Sequence, residues 1–464
     1  NKVYAVLDNH KYGDYQPYIY HSTDKGKTWK SITSNLPDRT VTWRIVQDFV
    51  EKDLLFSATE YGIYFSINGG RKWTKLTGGV PIISFRDLAI HKRENDLVGA
   101  SFGRGFYVFD DISVFRGLSE KQMANSGTLF PVRKAWWYIP RSHLGFEGRS
   151  KGTQGDGYYT APNPPFGAVF TYHLSESLIS KKDQRTKNEK AALDKGKSVG
   201  FPGWDTLEAE RREVKPKVIF EVKDTEGNTV RRIEGPATKG FHRVAWDLRY
   251  PSPNAVTLAS SSNKGSGFLA APGKYRVTMY TSMDGKTNKV SKSQDFDVVP
   301  LRSGALPTKS YVNRADFWRQ YEKTVRRASA IQITVGNTLK KVDRMQTALS
   351  QSTGDVGDLD SRLHTIRNSI LEMDEELSGN RSRMGPGEKN NPTVGSRLFV
   401  IQRILEYSTY GPTETAVENL ELAEKGMDQL QSQINQNRKD MESLGRRLTK
   451  VGAPWVEGEA IPKK

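Results

Sequence analysis

The sequence predicts a multidomain chain that combines blades of a β-propeller, an immunoglobulin- or fibronectin-like β-sandwich and an α-helical bundle. Three observations carry this reading. An eight-residue corner recurs 44 residues further on within the first quarter of the chain. Short alternating strands separated by turn residues fill the middle, and past Pro307 the apolar spacing lengthens from two residues to three or four.

The corner is Ser22-Thr-Asp-Lys-Gly-Lys-Thr-Trp29, and it returns as Ser66-Ile-Asn-Gly-Gly-Arg-Lys-Trp73. Its fixed positions are Ser22, Asp24, Gly26 and Trp29 in the first copy and Ser66, Asn68, Gly70 and Trp73 in the second. A short acid or amide bonds backbone N–H groups of its own turn, the glycine supplies positive φ, and the tryptophan covers the turn. That is the chemistry of a hairpin corner and not of a catalytic centre. Ile19–Ser22, Ile63–Ser66 and Phe106–Phe109 read as the strands entering three successive corners, of which the third retains only Asp111. Upstream, Val41–Arg44 matches Ile83–Arg86, and Leu54–Thr59 matches Asp96–Ser101. Four short strands in a period of roughly 40 to 50 residues are a propeller blade.

Residues 1–116 therefore read as the last two to three blades. Propellers close with at least about four, so the remaining blades are expected from an upstream segment or a separate chain. Asn1–Leu7 reads as a strand already under way with no signal peptide before it, which makes the chain the expected C-terminal part of something longer.

Residues 117–166 break the repeat and read as an extended connector. It carries the aromatic cluster Trp136-Trp137-Tyr138, which either plugs a gap between domains or stacks on a sugar face, and glycines at 145, 148, 152, 155 and 157. Residues 167–300 read as the sandwich. Gly167–Leu174 opens it, Lys217–Lys223 and Thr229–Ile233 form a hairpin over Glu226-Gly227-Asn228, and Trp246 is the expected core tryptophan. Gly273–Tyr280 and Gln294–Pro300 continue it around a tight turn at Met283–Lys286. The insert 175–215 is rich in lysine and arginine and poor in apolar residues, and reads either as a solvated mobile excursion or as a polyanion site.

From 308 to 450 four helical seams follow one another. Phe317, Tyr321, Val325, Ala328, Val335, Leu339, Val342 and Leu349 share a face, and Leu359, Leu363, Ile366, Ile370, Met373 and Leu377 alternate by four and three. Gly379–Pro392 reads as a loop, and Leu398, Ile401, Ile404 and Leu405 as a short third helix. Thr415 with Glu418 forms a capping box ahead of a fourth helix through Val417, Leu420, Met427, Leu430, Ile434, Met441, Leu444 and Leu448. The seams satisfy one another in an antiparallel bundle or offer a coiled-coil surface; residues 451–464 are a tail.

Composition narrows the partners. No run of about 18 apolar residues exists, so no membrane-spanning helix is read. With no cysteine, disulfides, thiolate metal sites and thiol nucleophiles are excluded. The formal charge of +17 favours acidic partners such as envelope polysaccharide, phosphorylated lipid head groups or nucleic acid, and no specific nucleic-acid site is read. The seven histidines lack ligand spacing, and Asp110-Asp111 reads as a degenerate corner as readily as a calcium contact.

The two corners resemble the Asp-box repeats of sortilin-type and bacterial sialidase-type propellers. Gly103–Asp111 is similar to the closing strand of bacterial sortilin-like proteins, which are often labelled glycosyl hydrolases by association. Ala161–Ala168 and Arg243–Arg249 resemble that family's linker and Ig-like domain, so the resemblance covers most of the chain. It implies a noncatalytic extracytoplasmic scaffold, in the bacterial periplasm, on the outer-membrane surface or secreted, that presents its propeller to envelope proteins or glycans. The alternative it implies is a sialidase-like glycoside hydrolase whose active site lies in upstream blades. Such a site needs arginines gripping a carboxylate together with a tyrosine and an acid/base residue. Arg44 and Arg86 recur at matching blade positions and Arg104 stands beside the closing strand, but repetition points to structure, because a catalytic site draws different residues from different blades. No catalytic residue, cofactor or metal ligand is therefore assigned. Arg44, Arg86, Arg104, Trp136 and Trp137 are the candidate ligand surface.

Overall fold

The computed structural model describes residues 2–140, 161–258, 266–302 and 311–461. The chain is mixed α and β, built from small antiparallel sheets and helices. It divides into two compact units. Unit one comprises Asn1–Ala135, Gly157–Asp247 and Lys274–Val298; unit two comprises Trp136–Asp156, Leu248–Gly273 and Val299–Lys464.

Unit one begins with three antiparallel sheets. The first holds β1 (Val3–Asn9), β2 (Asp14–Ser22) and β3 (Lys30–Ser31). The second holds β4 (Thr42–Gln47), β5 (Leu55–Thr59), β6 (Gly62–Ser66) and β7 (Thr74–Lys75), and the third holds β8 (Phe85–His91), β9 (Asp96–Ser101) and β10 (Phe106–Phe109). Successive side chains leave a strand on opposite faces. Leu55 and Tyr64 accordingly join Ile19, Ile32 and Trp73 in one core, while Phe56, Ala58 and Ile63 join Phe85, Leu88 and Leu97 in another. The middle sheet is thus covered on both sides, and all five residues of β5 are buried.

The first sheet is covered on one side only. Register places Ala5 opposite Tyr20 and Leu7 opposite Tyr18, so these four share the face turned away from Ile19. Leu7 is 58% exposed there. At the other end of the series, Phe106 and Val108 of β10 are exposed.

The rest of unit one follows a short helix, α1 (Glu120–Ala124), whose Ser119 and Gln122 form a reciprocal capping box. Next come β11 (Gly127–Leu129), β12 (Ala135–Trp137), of which Trp136 and Trp137 belong to unit two, and β13 (Ala168–Leu174). Helices α2 (Lys181–Leu193) and α3 (Trp204–Arg212) lead to β14 (Lys217–Lys223), β15 (Thr229–Gly235) and β16 (Gly240–Trp246). Strands β17 (Arg249–Pro251) and β18 (Ser266–Leu269) pair in unit two, after which β19 (Gly273–Met283), β20 (Lys286–Lys289) and β21 (Gln294–Pro300) return to unit one. Sheet β11-β13-β16 faces sheet β21-β19-β14-β15, with aromatic rings between them. Phe170 lies 5.9 Å from Phe220, Tyr172 4.9 Å from Phe220, and the fully buried Trp246 meets Tyr275 edge-on at 5.1 Å. Asp284 and Gly285 both take positive φ, +51° and +77°, giving the tight β19–β20 turn its right-handed twist.

The basic insert is not an irregular coil. Ser180 caps α2, and Arg185 holds Glu189 on its own helix at 2.7 Å and Glu210 of α3 at 2.6 Å. Neither helix buries a residue, so local hydrogen bonds and ion pairs, not a core, organise the segment.

Unit two is dominated by α4 (Tyr311–Leu349), α5 (Leu359–Ser378), α7 (Val394–Glu406) and α8 (Glu414–Lys450), with the single turn α6 (Arg381–Met384) inside the segment read as a loop. The four long helices share one apolar core that includes Val342, Met345, Leu363, Ile370, Ile401 and Met427. Two readings of α8 need correction. Its N-cap is Thr413, which accepts from Ala416 N, and not Thr415. Its buried seam starts at Ala416 and runs through Leu420 and Ala423, while Val417 is 39% exposed. Small alanines face the neighbouring helices because close approach leaves no room for a larger side chain.

Candidate functional site

The two corners are held by the same set of hydrogen bonds. In the first, Gly26 N donates to Ser22 Oγ at 2.8 Å, the Ser22 hydroxyl donates to Asp24 Oδ1 at 2.7 Å, and Thr28 N donates to Asp24 Oδ1 at 2.9 Å. In the second, Gly70 N donates to Ser66 Oγ, the Ser66 hydroxyl to Asn68 Oδ1, and Lys72 N to Asn68 Oδ1, each at 2.9 Å. Asp24 also accepts from the Thr28 hydroxyl; that bond, the Thr28 N–H and the Ser22 hydroxyl bring its carboxyl down to about 2.

The tryptophans differ. Trp73 is 3% exposed, and its indole N–H donates to Ile32 O at 2.7 Å, so it seals the second sheet against the first. Trp29, at the same position 44 residues earlier, is 45% exposed. Tyr64 and Tyr20 make the same contrast: Tyr64 is 8% exposed in the core facing the first sheet, whereas Tyr20 stands on that sheet's open face against Tyr18 at 6.5 Å.

Of the arginines singled out from the sequence, Arg44 and Arg86 are engaged between the second and third sheets. Arg44 pairs with Asp87 at 3.2 Å. Arg86 lies 3.7 Å from the centre of the Trp43 ring and 3.6 Å from Glu60, which also accepts from Trp43 Nε1 and from the Ser84 hydroxyl. Arg104 is exposed in the turn between β9 and β10. Among the described residues no group of three or more His, Asp or Glu side chains converges as a metal site would. At Asp110, burial and then the Asp96 charge push the carboxyl up, while Arg243 and Arg133 oppose the shift; two guanidinium groups beside it are poor company for a cation.

Trp136 is half-buried, and the reading of Trp137 as ligand surface is corrected. Trp137 is 3% exposed, donates its N–H to Ala270 O at 2.7 Å and meets Tyr311 edge-on at 5.2 Å. The glycines at 145, 148, 152, 155 and 157 lie outside the described residues.

Trp137 instead helps build a feature of unit two that sequence reasoning missed. The Arg314 guanidinium lies 5.7 Å from the Trp137 ring and 5.9 Å from the Trp318 ring, and Arg314 is only 3% exposed. One of its nitrogens donates to Leu405 O at 3.1 Å, while its Nε and the Trp318 Nε1 are buried without a partner. Among the described residues no carboxylate pairs with it. Burial, and then the neighbouring Arg249 charge, push Arg314 down to about 10. The residue borders a cavity of about 130 Å³ whose walls include Phe268, Trp318 and Tyr321, with Glu322 and Glu406 also on the lining. Gly267 makes this wall possible, because a Cβ there would sit 2.4 Å from Pro251 O. Phe268 then stacks on Tyr250 at 4.2 Å and on Trp318 at 5.4 Å.

No protein-family model and no curated protein matches the chain. Among solved structures it is similar to the extracellular domain of a protein assigned as a one component system in B. thetaiotaomicron, at 12% identity and a TM-score of 0.18 over 64% of this chain and 31% of that one. It is also similar to the extracellular domain of a protein assigned as a hybrid two component system from the same organism, at 10% identity and a TM-score of 0.18, over 61% of this chain and 29% of the other. The chain thus spans about a third of the length of these structures. Likeness at this level carries no argument about fold or role. Among the described residues no helix is long and apolar enough to cross a membrane.

Proposed function

We propose that the chain is a noncatalytic extracytoplasmic scaffold in which residues 1–116 are blades of an Asp-box propeller, followed by an Ig-like sandwich and a helical bundle, presenting surfaces to protein or glycan partners. The location outside the cytoplasm is what the sortilin-like resemblance implies. The observation that carries the reading is the contrast between equivalent residues: Tyr64 and Trp73 are covered by the neighbouring sheet, whereas Trp29 is 45% exposed and Tyr20 stands on the first sheet's open face. The occupant that fits this face is another sheet of the same repeat, because the chain already shows how one such sheet receives these two side chains. Apolar faces and free strand edges left open favour association. The interface is expected to exceed about 2,000 Å² in total, as in obligate contacts.

Sedimentation velocity on the purified 464-residue chain tests the reading. Self-association through the open face, relieved by Trp29→Glu, is the expected result. A monodisperse monomer whose first three sheets melt cooperatively would overturn it.

A further inference from the structure

Independently of that reading, we propose that the cavity beside Arg314 in unit two binds a small organic carboxylate, held by the Arg314 guanidinium and the Trp318 indole N–H. A buried guanidinium without a counter-ion is costly, and a buried donor without an acceptor costs most of its desolvation. Here two such donors, Arg314 Nε and Trp318 Nε1, belong to residues lining one cavity. A planar guanidinium matches a carboxylate in shape as well as charge.

The surroundings narrow the ligand further. Phe268, Trp318 and Tyr321 supply aromatic walls for an apolar body rather than for a fully hydrated anion. Tyr321 directs its hydroxyl to Leu398 O at 3.1 Å and is therefore already satisfied. Glu322 and Glu406 share the lining and offset its second guanidinium, Arg249, so a monoanion is favoured over a dianion such as phosphate. Glu322 is itself paired with Arg326 at 2.7 Å. The volume of about 130 Å³ is close to that of engineered apolar cavities that take a benzene-sized molecule, so a ligand of about five to seven non-hydrogen atoms fits.

The test uses the intact chain, with propionate, lactate and inorganic phosphate as probes, read by calorimetry and by tryptophan fluorescence. Propionate or lactate is expected to bind in the millimolar range or tighter, as ligands of this size do, and phosphate at least about tenfold more weakly. Arg314→Met is expected to keep or raise the melting temperature, since an unpaired buried charge is replaced by an apolar chain, and to abolish carboxylate binding. Trp318→Phe keeps a ring in place and should weaken binding by about tenfold, the loss of one charge-assisted hydrogen bond. The proposal is overturned if neither carboxylate binds, if phosphate binds as well as propionate, or if Arg314→Met lowers the melting temperature and leaves carboxylate binding intact.

Discussion

Trp73→Ala and Trp29→Ala remove the same side chain from the same corner, so the difference between them measures the neighbouring sheet. Trp73 is 3% exposed, and truncating a buried tryptophan costs about 3–5 kcal/mol. Its N–H also satisfies Ile32 O at 2.7 Å, and leaving that carbonyl without a partner adds about 1 kcal/mol. Trp29 is 45% exposed, and half-burial of a large apolar side chain is worth only about 1 kcal/mol. The expected gap is therefore about 3 kcal/mol or more. Trp73→Phe separates the two contributions, because it keeps most of the ring and removes the N–H. Hydrogen exchange of the β5 and β6 amides reads the local effect directly, whereas a global melt averages over two units. Equal loss of protection in Trp29→Ala and Trp73→Ala would refute the argument that the first sheet's outer face is open in this chain.

Four further outcomes follow from the geometry. Gly70→Ala should destabilise more than Gly26→Ala: both positions have positive φ, near +88° and +89°, but a Cβ at Gly70 would sit 2.8 Å from the Ile32 side chain, whereas at Gly26 only the Trp29 ring lies near, at 3.6 Å. The Asp24 carboxyl has a folded pKa below its unfolded value, so its stabilising effect is full above the ordinary 3.8 and is lost as pH falls through about 2; Asp24→Asn should flatten melting temperature against pH in that window, and Asn68→Asp should introduce a new dependence there. Arg116→Ala strands Asp48, whose side chain is fully buried and bound by Arg116 at 2.9 and 2.8 Å, and should cost about 3 kcal/mol in urea unfolding. Limited proteolysis should cut first in the exposed link between α2 and α3, around Lys195–Val199, and replacing 181–212 by a short linker should leave the melting of the remainder unchanged, since neither helix buries a residue.

What the sequence made legible was local. Ser22, Asp24 and Gly26 define their turn by bonds within five residues, so the spacing alone shows the corner. The strands around it and the long helical seams were legible for the same reason, since apolar period reports which face is buried. The misses share a different cause. Trp29 and Trp73 sit in matching local sequences and part company only because one has a sheet over it. Val417 was placed on the buried seam where Ala416 lies, because hydrophobicity marks the larger residue, whereas the close helix contact selects the smaller. Arg314 was invisible: an arginine near the start of a long helix reads as solvent-facing, and its burial depends on Trp137 and Leu405, 177 and 91 residues away in the chain. The Trp136-Trp137 pair did point to a special place, but its buried member walls the Arg314 environment and is closed to a surface sugar.

The most direct test of the scaffold reading is a photo-activated cross-linker placed at position 29 of the protein in its native setting, with the captured peptide sequenced by mass spectrometry. Capture of a strand or corner carrying the Ser-x-Asp/Asn-x-Gly-x-x-Trp pattern is the predicted result, since the neighbour should be another sheet of the same repeat. Capture of water alone, with position 73 giving its expected link to the Ile32 region, would contradict it.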